Sequence, residues 1–285
     1  MAKPKTFSNK DIVDYYDQTE VHYRMFWKLS RSLGLHYGIW EKGIRNLPAA
    51  ILNTNHRLAS LGKLDKGAQV LDAGCGIGGS SIYLAQQFSC QVHGISLSEK
   101  QIESAQKMVQ EKGMAQHVQF SVQDYTKTDF QDASYDVIWA IESMETASEK
   151  EAFFTEAQRL LKPGGLLLIA DVFKPKSYPI TKEALMQKWL NAWAMSDILS
   201  LEELRGIAKK VGFSVANHTD VTKAIWPSVW RIYIAGLLGF LGTKWYNLFH
   251  NASYFSKIHY TSGINQYKTY RKGLWEYHLW CLKKE

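Results

Sequence analysis

A chain of 285 residues with 46% hydrophobic and 21% charged residues has an ordinary globular composition, enough for one sizeable domain with an elaboration or two small ones. The formal net charge is +7 and the pI about 9.1. Lys and Arg are scattered, in small groups such as Lys209-Lys210 and Lys283-Lys284, which argues against a nucleic-acid binder. The plain reading is a solvated basic surface, with attraction to an anionic membrane or an anionic substrate as the alternative. Cys75, Cys90 and Cys281 form neither a paired framework nor a metal-ligand spacing, so a reducing compartment and no metal are expected.

The first twenty residues lack the apolar core of a signal peptide, and a cytoplasmic location is expected, with peripheral membrane contact left open. Residues 10–60 read as helices, including "DIVDYYDQTEVHYRMFWKL" and "LGLHYGIWEKG". "AQVLDAGCG" then reads as a buried strand and "GGSSIYLAQQF" as a helix, so "VLDAGCGIGGSS" at residues 70–81 is a strand–turn–helix junction. Gly74, Gly76 and Gly78 permit unusual dihedrals and close backbone approach to a ligand. Their spacing is G-x-G-x-G, not the dinucleotide fingerprint G-x-G-x-x-G. Asp72 just before the turn would repel a pyrophosphate and suits a cationic ligand, which points away from NAD and toward S-adenosylmethionine.

This motif resembles the first motif of class I S-adenosylmethionine-dependent methyltransferases, in which such glycines lie against the methionine part of the cofactor. The resemblance implies an α/β fold: a Rossmann-like, seven-stranded, mostly parallel sheet with an antiparallel last strand and a helical lid and cap. The expected division is a lid at 1–60, a cofactor-binding core at 61–172, and the rest of the core at 173–285. Aromatic substrate-cap insertions are expected near 173–199 and 222–268.

Along the chain, "QVHGISL" is a short strand and "SEKQIESAQKMVQEKG" a helix with Ser98 as N-cap, Gln101 at the capping-box position and Gly113 at its end. No acidic residue ends that strand. "SLSEKQ" resembles a subgroup that includes sterol, cyclopropane fatty acid and tocopherol methyltransferases, and implies cofactor contacts from Ser96, Leu97 and Gln101. "VQFSVQDYTKTDF" is a strand ending near Asp124, where a carboxylate can accept a bond from an adenine amino group and Tyr125 can stack on the base. "YDVIWAIES" is a buried strand, with Ala140 near the cofactor. "EKEAFFTEAQRLL" is a helix, "KPGG" a turn and "LLLIADV" a further strand, which together give parallel βαβ units.

"AIESMETASEK" lies at a strand's carboxyl end, where ligands bind in such sheets. It resembles a segment with two glutamates and a His; Glu142 and Glu145 match, but Thr146 replaces the His, which argues against a bicarbonate site. Either glutamate has two uses: a general base with its pKa raised by burial, or a carboxylate that stabilises a cation. In the lid, "YYD" and "HYGIW" resemble the subgroup, which singles out Tyr15 toward the cofactor and Tyr37 and Trp40 toward the substrate.

The long segment after the fifth strand resembles the tocopherol methyltransferase group most. "SLEELRGIAKKVGF" is a helix capped by Ser200, "FSVANHTDV" a strand, "KAIWPSVWRIY" the start of an apolar cap and "KGLWEYHLWCLKK" the closing antiparallel edge strand. "IYIAGLLGFLG" at 232–242 is too short to span a membrane. Trp193, Trp226, Trp230, Arg231 and His250 are candidate substrate contacts, with Trp189, Trp245 and His259 nearby in sequence. Arg231 is a candidate for an anionic head group such as a diphosphate. The expectation is methyl transfer from S-adenosylmethionine to a small lipophilic substrate, at carbon of a terpenoid, prenyl or prenylated aromatic compound. Nitrogen or oxygen methylation is the alternative. A non-catalytic, membrane-associated cofactor-binding protein and an RNA methyltransferase rank lower.

Overall fold

The apolar runs with few polar interruptions become the strands of one sheet. The structure is a computed structural model that describes residues 5–27, 34–179, 182–247 and 254–285. The strands are β1 (Gln69–Ala73), β2 (Gln91–Ser96), β3 (Val118–Val122), β4 (Tyr135–Ile141), β5 (Leu161–Phe173), β6 (Phe213–Asp220) and β7 (Glu276–Lys284). They lie in the order β3-β2-β1-β4-β5-β7-β6. β1 to β5 are mutually parallel, with Val70 opposite both Val92 and Val137, and β7 runs antiparallel to both its neighbours.

Helices cover both faces, which is why β1 and β4 read as almost unbroken apolar runs. Val70, Trp139, Leu168 and Leu279 pack on one face, together with residues of α2 (Leu47–Gly62), α3 (Gly79–Phe88) and α4 (Glu99–Glu111). Leu71, Ile138, Ile169 and Trp280 pack on the other, against Phe153 and Phe154 of α5 (Lys150–Leu160) and Leu204 of α7 (Leu201–Lys210). Ser200 and Glu203 form a reciprocal capping box at the start of α7. Between β5 and α7 lies α6 (Ala184–Ala192), and between β6 and β7 lie the two cap helices, α8 (Trp226–Asn247) and α9 (Tyr254–Arg271). The lid begins with α1 (Asn9–Trp27).

Three sequence expectations need correction. β7 is not the edge strand; it sits between β5 and β6. Its residues Tyr277 to Leu282 are all buried, as an interior strand requires, whereas β6 is largely polar and exposed, as an edge tolerates. "KPGG" is not a turn before a strand. It lies within β5 as a bulge, since the register with β4 jumps from Leu161 to Leu166, and Gly164 takes φ +75°.

Residues 34–45 are not helical. Their amides bond to distant groups instead: Gly38 to Ser228 Oγ at 3.0 Å, Ile39 to Thr54 Oγ1 at 3.0 Å, and Trp40 to the Ala224 carbonyl at 2.8 Å. Gly38 is needed there because a Cβ would stand 2.6 Å from the Cβ of Ala50. This extended strap ties the lid to the cap and crosses the carboxyl ends of the strands. Among the described residues no helix is long and apolar enough to cross a membrane.

Candidate active site

A cavity opens beyond the carboxyl ends of β1, β2 and β4, the usual ligand position in such a sheet. The strap and α1 close it from above. The glycine turn forms its floor, with Gly74 at φ +90° and Gly76 at φ +52°. A Cβ on Gly74 would stand 2.4 Å from the Cβ of Ser143, whereas a Cβ on Gly76 would meet only open space. Gly76 therefore keeps room for a ligand, and Gly74 keeps room for the neighbouring strand end. Gly78 lies outside the cavity, where a Cβ would meet Phe120 Cζ at 2.5 Å; it lets α3 pack on the sheet.

Asp72 lines the cavity and accepts a bond from the Ser81 hydroxyl at 2.6 Å. Burial pushes its carboxyl up to about 6. Ser96, Leu97 and Gln101 also line the cavity, and the Ser96 hydroxyl donates to Gln101 Oε1 at 2.7 Å. The Gln101 side chain thus turns to Ser96, while the Gln101 backbone N–H donates to the Ser98 hydroxyl at 3.3 Å. Asp17 of α1 holds the same loop through Ser98 Oγ at 3.2 Å and Lys100 at 2.9 Å, so the lid is pinned over it. Tyr15 and Tyr125 line the cavity too. Tyr125 is anchored by its hydroxyl, which lies 2.8 Å from the Ser143 carbonyl and 2.9 Å from Thr146 Oγ1.

Besides Gly78, two expected cofactor contacts stand elsewhere. Asp124 does not line the cavity; its oxygens accept from Thr126 and, at 2.6 Å, from Asn9 of the lid. Ala140 is buried inside β4, and its neighbour Ile141 reaches the cavity instead.

Glu142 and Glu145 both line the cavity. Glu142 has φ +47°, a left-handed conformation that costs a non-glycine residue about 1 kcal/mol. That turn aims its carboxylate at two donors, the Tyr37 amide at 2.6 Å and the Tyr277 hydroxyl at 2.8 Å. Burial and the nearby Glu145 nevertheless hold its carboxyl well above the usual range.

Glu145 packs against Asp171, whose Oδ2 accepts the Glu145 amide at 3.3 Å. Burial raises both carboxyls, and the neighbouring Glu145 pushes Asp171 further up. Lys150 is half-buried beside them and donates to the Glu145 carbonyl at 2.6 Å; desolvation lowers its ammonium to about 8. Glu145 Oε2 is buried without a hydrogen-bond partner. A polar atom left so in a native structure calls for a physical reason, and this one belongs to a residue that lines the cavity.

The cavity's apolar wall is aromatic. Tyr37 lies 6.2 Å from Trp193 and 5.5 Å from Tyr277 between ring centroids, and Met195 and Ile232 close the side. His36 lines the cavity as a weak base: Nδ1 bonds the Tyr37 carbonyl at 3.0 Å and burial lowers the ring to about 4. Trp40 stands outside, its indole donating to Ser228 Oγ at 2.9 Å. Trp226 stacks on Tyr270, and Trp230 and Arg231 are exposed on the outer side of α8; none of the three lines the cavity. Trp189 is fully buried behind Trp193. His250 and the side chains of Trp245 and His259 lie outside the described residues.

The glycine floor, the buried Asp72 and the cavity closed by a pinned lid are the setting for a cationic ligand, and the methyltransferase-domain family matches residues 64–253. The chain belongs to that family. Two relatives are a 2-methyl-6-phytyl-1,4-hydroquinone methyltransferase from Synechocystis, 32% identical over 77% of this chain and 69% of that one, and a 27-O-demethylrifamycin SV methyltransferase from Amycolatopsis mediterranei, 30% identical over 68% and 71%. A geranyl diphosphate C-methyltransferase from Streptomyces coelicolor, solved with S-adenosyl-L-homocysteine, shares the fold with a TM-score of 0.74 over 100% of both chains at 18% identity. This methyltransferase uses S-adenosylmethionine.

The residues present fit that cofactor: Gly76 leaves open space on the floor, and Asp72 offers a buried carboxylate for an ammonium. A cationic ligand favours the ionised form of Asp72 and so lowers its pKa below the value of about 6 in the free enzyme. Affinity for S-adenosylhomocysteine is therefore expected to rise with pH and level off above about 6. Calorimetric titrations across that range check this, and Asp72→Asn is expected to flatten the profile.

Sequence reasoning passed over Asp171, Lys150, Tyr277, Met195 and Ile232. Asp171 had a signal: an acid ending the apolar run "LLLIAD", the same signature as Asp72 in "VLDAG".

Proposed function

We propose that this methyltransferase methylates a carbon atom of a small lipophilic substrate of the terpenoid, prenyl or prenylated aromatic class. The observation that carries the reading is Glu145, a buried carboxylate whose Oε2 lacks a partner in a cavity walled by Tyr37, Trp193, Met195 and Ile232. When an alkene or aromatic carbon takes up a methyl group, positive charge develops on the substrate. A preorganised carboxylate in a water-poor site stabilises that charge, and aromatic faces add to it. Bound S-adenosylmethionine supplies the electrophilic methyl group. Gly74, Gly76, Asp72, Ser96 and Gln101 would hold it, and the lid pinned by Asp17 would exclude water. Asp171 fixes the Glu145 backbone by accepting its amide, and Glu142 holds the strap over the site through Tyr37. The Synechocystis relative and the Streptomyces neighbour are named for prenylated or prenyl substrates, which agrees with this reading.

Methylation of oxygen or nitrogen on a lipophilic molecule is the second reading. It is favoured by the raised carboxyl of Glu142, since burial makes that group a stronger base than an ordinary carboxylate. Supplying S-adenosylmethionine with a deuterated methyl group and an organic extract of the source cells tests both. Label on carbon of a lipophilic product is expected; label on oxygen or nitrogen would replace the first reading with the second.

A further inference from the structure

The basic residues are spread along the sequence, but the acidic ones are not. From Val221 to Trp275 the chain holds no Asp or Glu and seven Lys or Arg. Those seven equal the formal net charge of +7, so the rest of the chain carries equal numbers of acids and bases. This span is the cap, α8 and α9. Among the described residues Arg231, Lys268, Arg271 and Lys272 are exposed and have no carboxylate partner.

The outer face of α8 is apolar. Trp230 is 43% exposed, Ile234 36%, Leu237 40% and Leu238 59%, at spacings that put all four on one side of a helix. They are four of the seven large hydrophobics exposed among the described residues. Aromatic rings continue the face: Tyr233 lies 5.4 Å from Trp230 and stacks at 4.2 Å on Tyr267 of α9. On the inner side of the same helix, Ile232 lines the cavity and Val229 is fully buried. The helix thus has the site on one side and an uncovered apolar stripe on the other.

We propose that the outer face of the cap docks on an anionic lipid bilayer. Aliphatic residues flanked by Trp and Tyr suit the boundary between headgroups and acyl chains, and the uncompensated Lys and Arg suit its negative potential. A second copy of the chain is a poor occupant, because an isologous contact would bring two unneutralised basic faces together. A nucleic acid would leave Leu237 and Leu238 against phosphates. No described helix is able to cross a membrane, so the cap lies on the bilayer. The proposal holds whichever atom is methylated.

Flotation of the full chain with vesicles tests it. Recovery is expected with phosphatidylcholine vesicles containing one third phosphatidylglycerol, and little with phosphatidylcholine alone. Binding should weaken as salt rises. Lys268→Gln with Lys272→Gln is expected to lower the partition coefficient about fivefold per lysine. Leu237→Ser with Leu238→Ser is expected to lower it tenfold or more, while Leu52→Ser, an exposed leucine on α2, leaves it unchanged. Unaltered S-adenosylhomocysteine affinity shows that each variant is folded. Equal recovery with neutral vesicles, or undiminished binding by the double leucine variant, overturns the proposal. So does light scattering that shows a dimer which the leucine variant abolishes.

Discussion

Gly74→Ala is expected to weaken cofactor binding about a hundredfold, or ~2.7 kcal/mol, and to destabilise the fold as well. Two costs act at one position. The backbone sits at φ +90°, where a side chain costs about 1–2 kcal/mol. The added Cβ also falls 2.4 Å from Ser143 Cβ, and overpacking of that kind costs about 1–3 kcal/mol. Ser143 cannot move alone. Its hydroxyl donates to the Ala73 carbonyl at 2.6 Å and its carbonyl accepts from Tyr125 at 2.8 Å. It also lies between Glu142 and Glu145 in sequence, so a shift there misplaces both carboxylates. Two further variants separate the causes. Gly76→Ala meets open space, so it should lower affinity with only a small loss of stability. Gly43→Ala has similar strain at φ +95° in a loop outside the cavity, and should cost a little stability and no affinity. Thermal melts and calorimetric titration with S-adenosylhomocysteine read both quantities. Unchanged affinity in both Gly74→Ala and Gly76→Ala would place the cofactor elsewhere.

The glycine turn was legible because its meaning is local: strand, acid, glycines and helix follow one another within a dozen residues. The parallel half of the sheet was legible for the same reason, since each βαβ unit is written in consecutive runs. The strap at residues 34–45 was not, because what keeps it extended is remote. Glu142, Ser228, Thr54 and Ala224 take its backbone bonds, and no periodicity within the segment announces them. The place of β7 follows from burial on both faces, which "YHLWCL" does display; its position at the end of the core suggested an edge. The facing of α8 was hidden because the helix is apolar nearly all round, so Trp226 and Trp230 read equally well as cavity wall or as surface. The partner of Glu145 was hidden by topology. Asp171 is 26 residues away and meets it because β5 lies beside β4.

That pairing sets up the second large effect. Glu145→Gln is expected to lower kcat by two to three orders of magnitude, the range of about 2.7–4 kcal/mol seen when one preorganised electrostatic group is removed from an active site. Gln keeps the volume and removes the charge. If the substrate carries positive charge as the new bond forms, Asp171 does not replace the carboxylate, because it does not line the cavity. Glu142 is already held by Tyr37 and Tyr277. Asp171→Ala removes the acceptor of the Glu145 amide and the neighbour that favours the charged form of Glu145, so it should reduce kcat less, about tenfold, and move the acid limb of the pH–rate profile upward. Affinity for S-adenosylhomocysteine should change little in either variant, which separates loss of catalysis from loss of the fold. Near-normal turnover in Glu145→Gln would mean that no cation needs stabilising there. The reaction would then be transfer to oxygen or nitrogen, with Glu142 the next residue to replace.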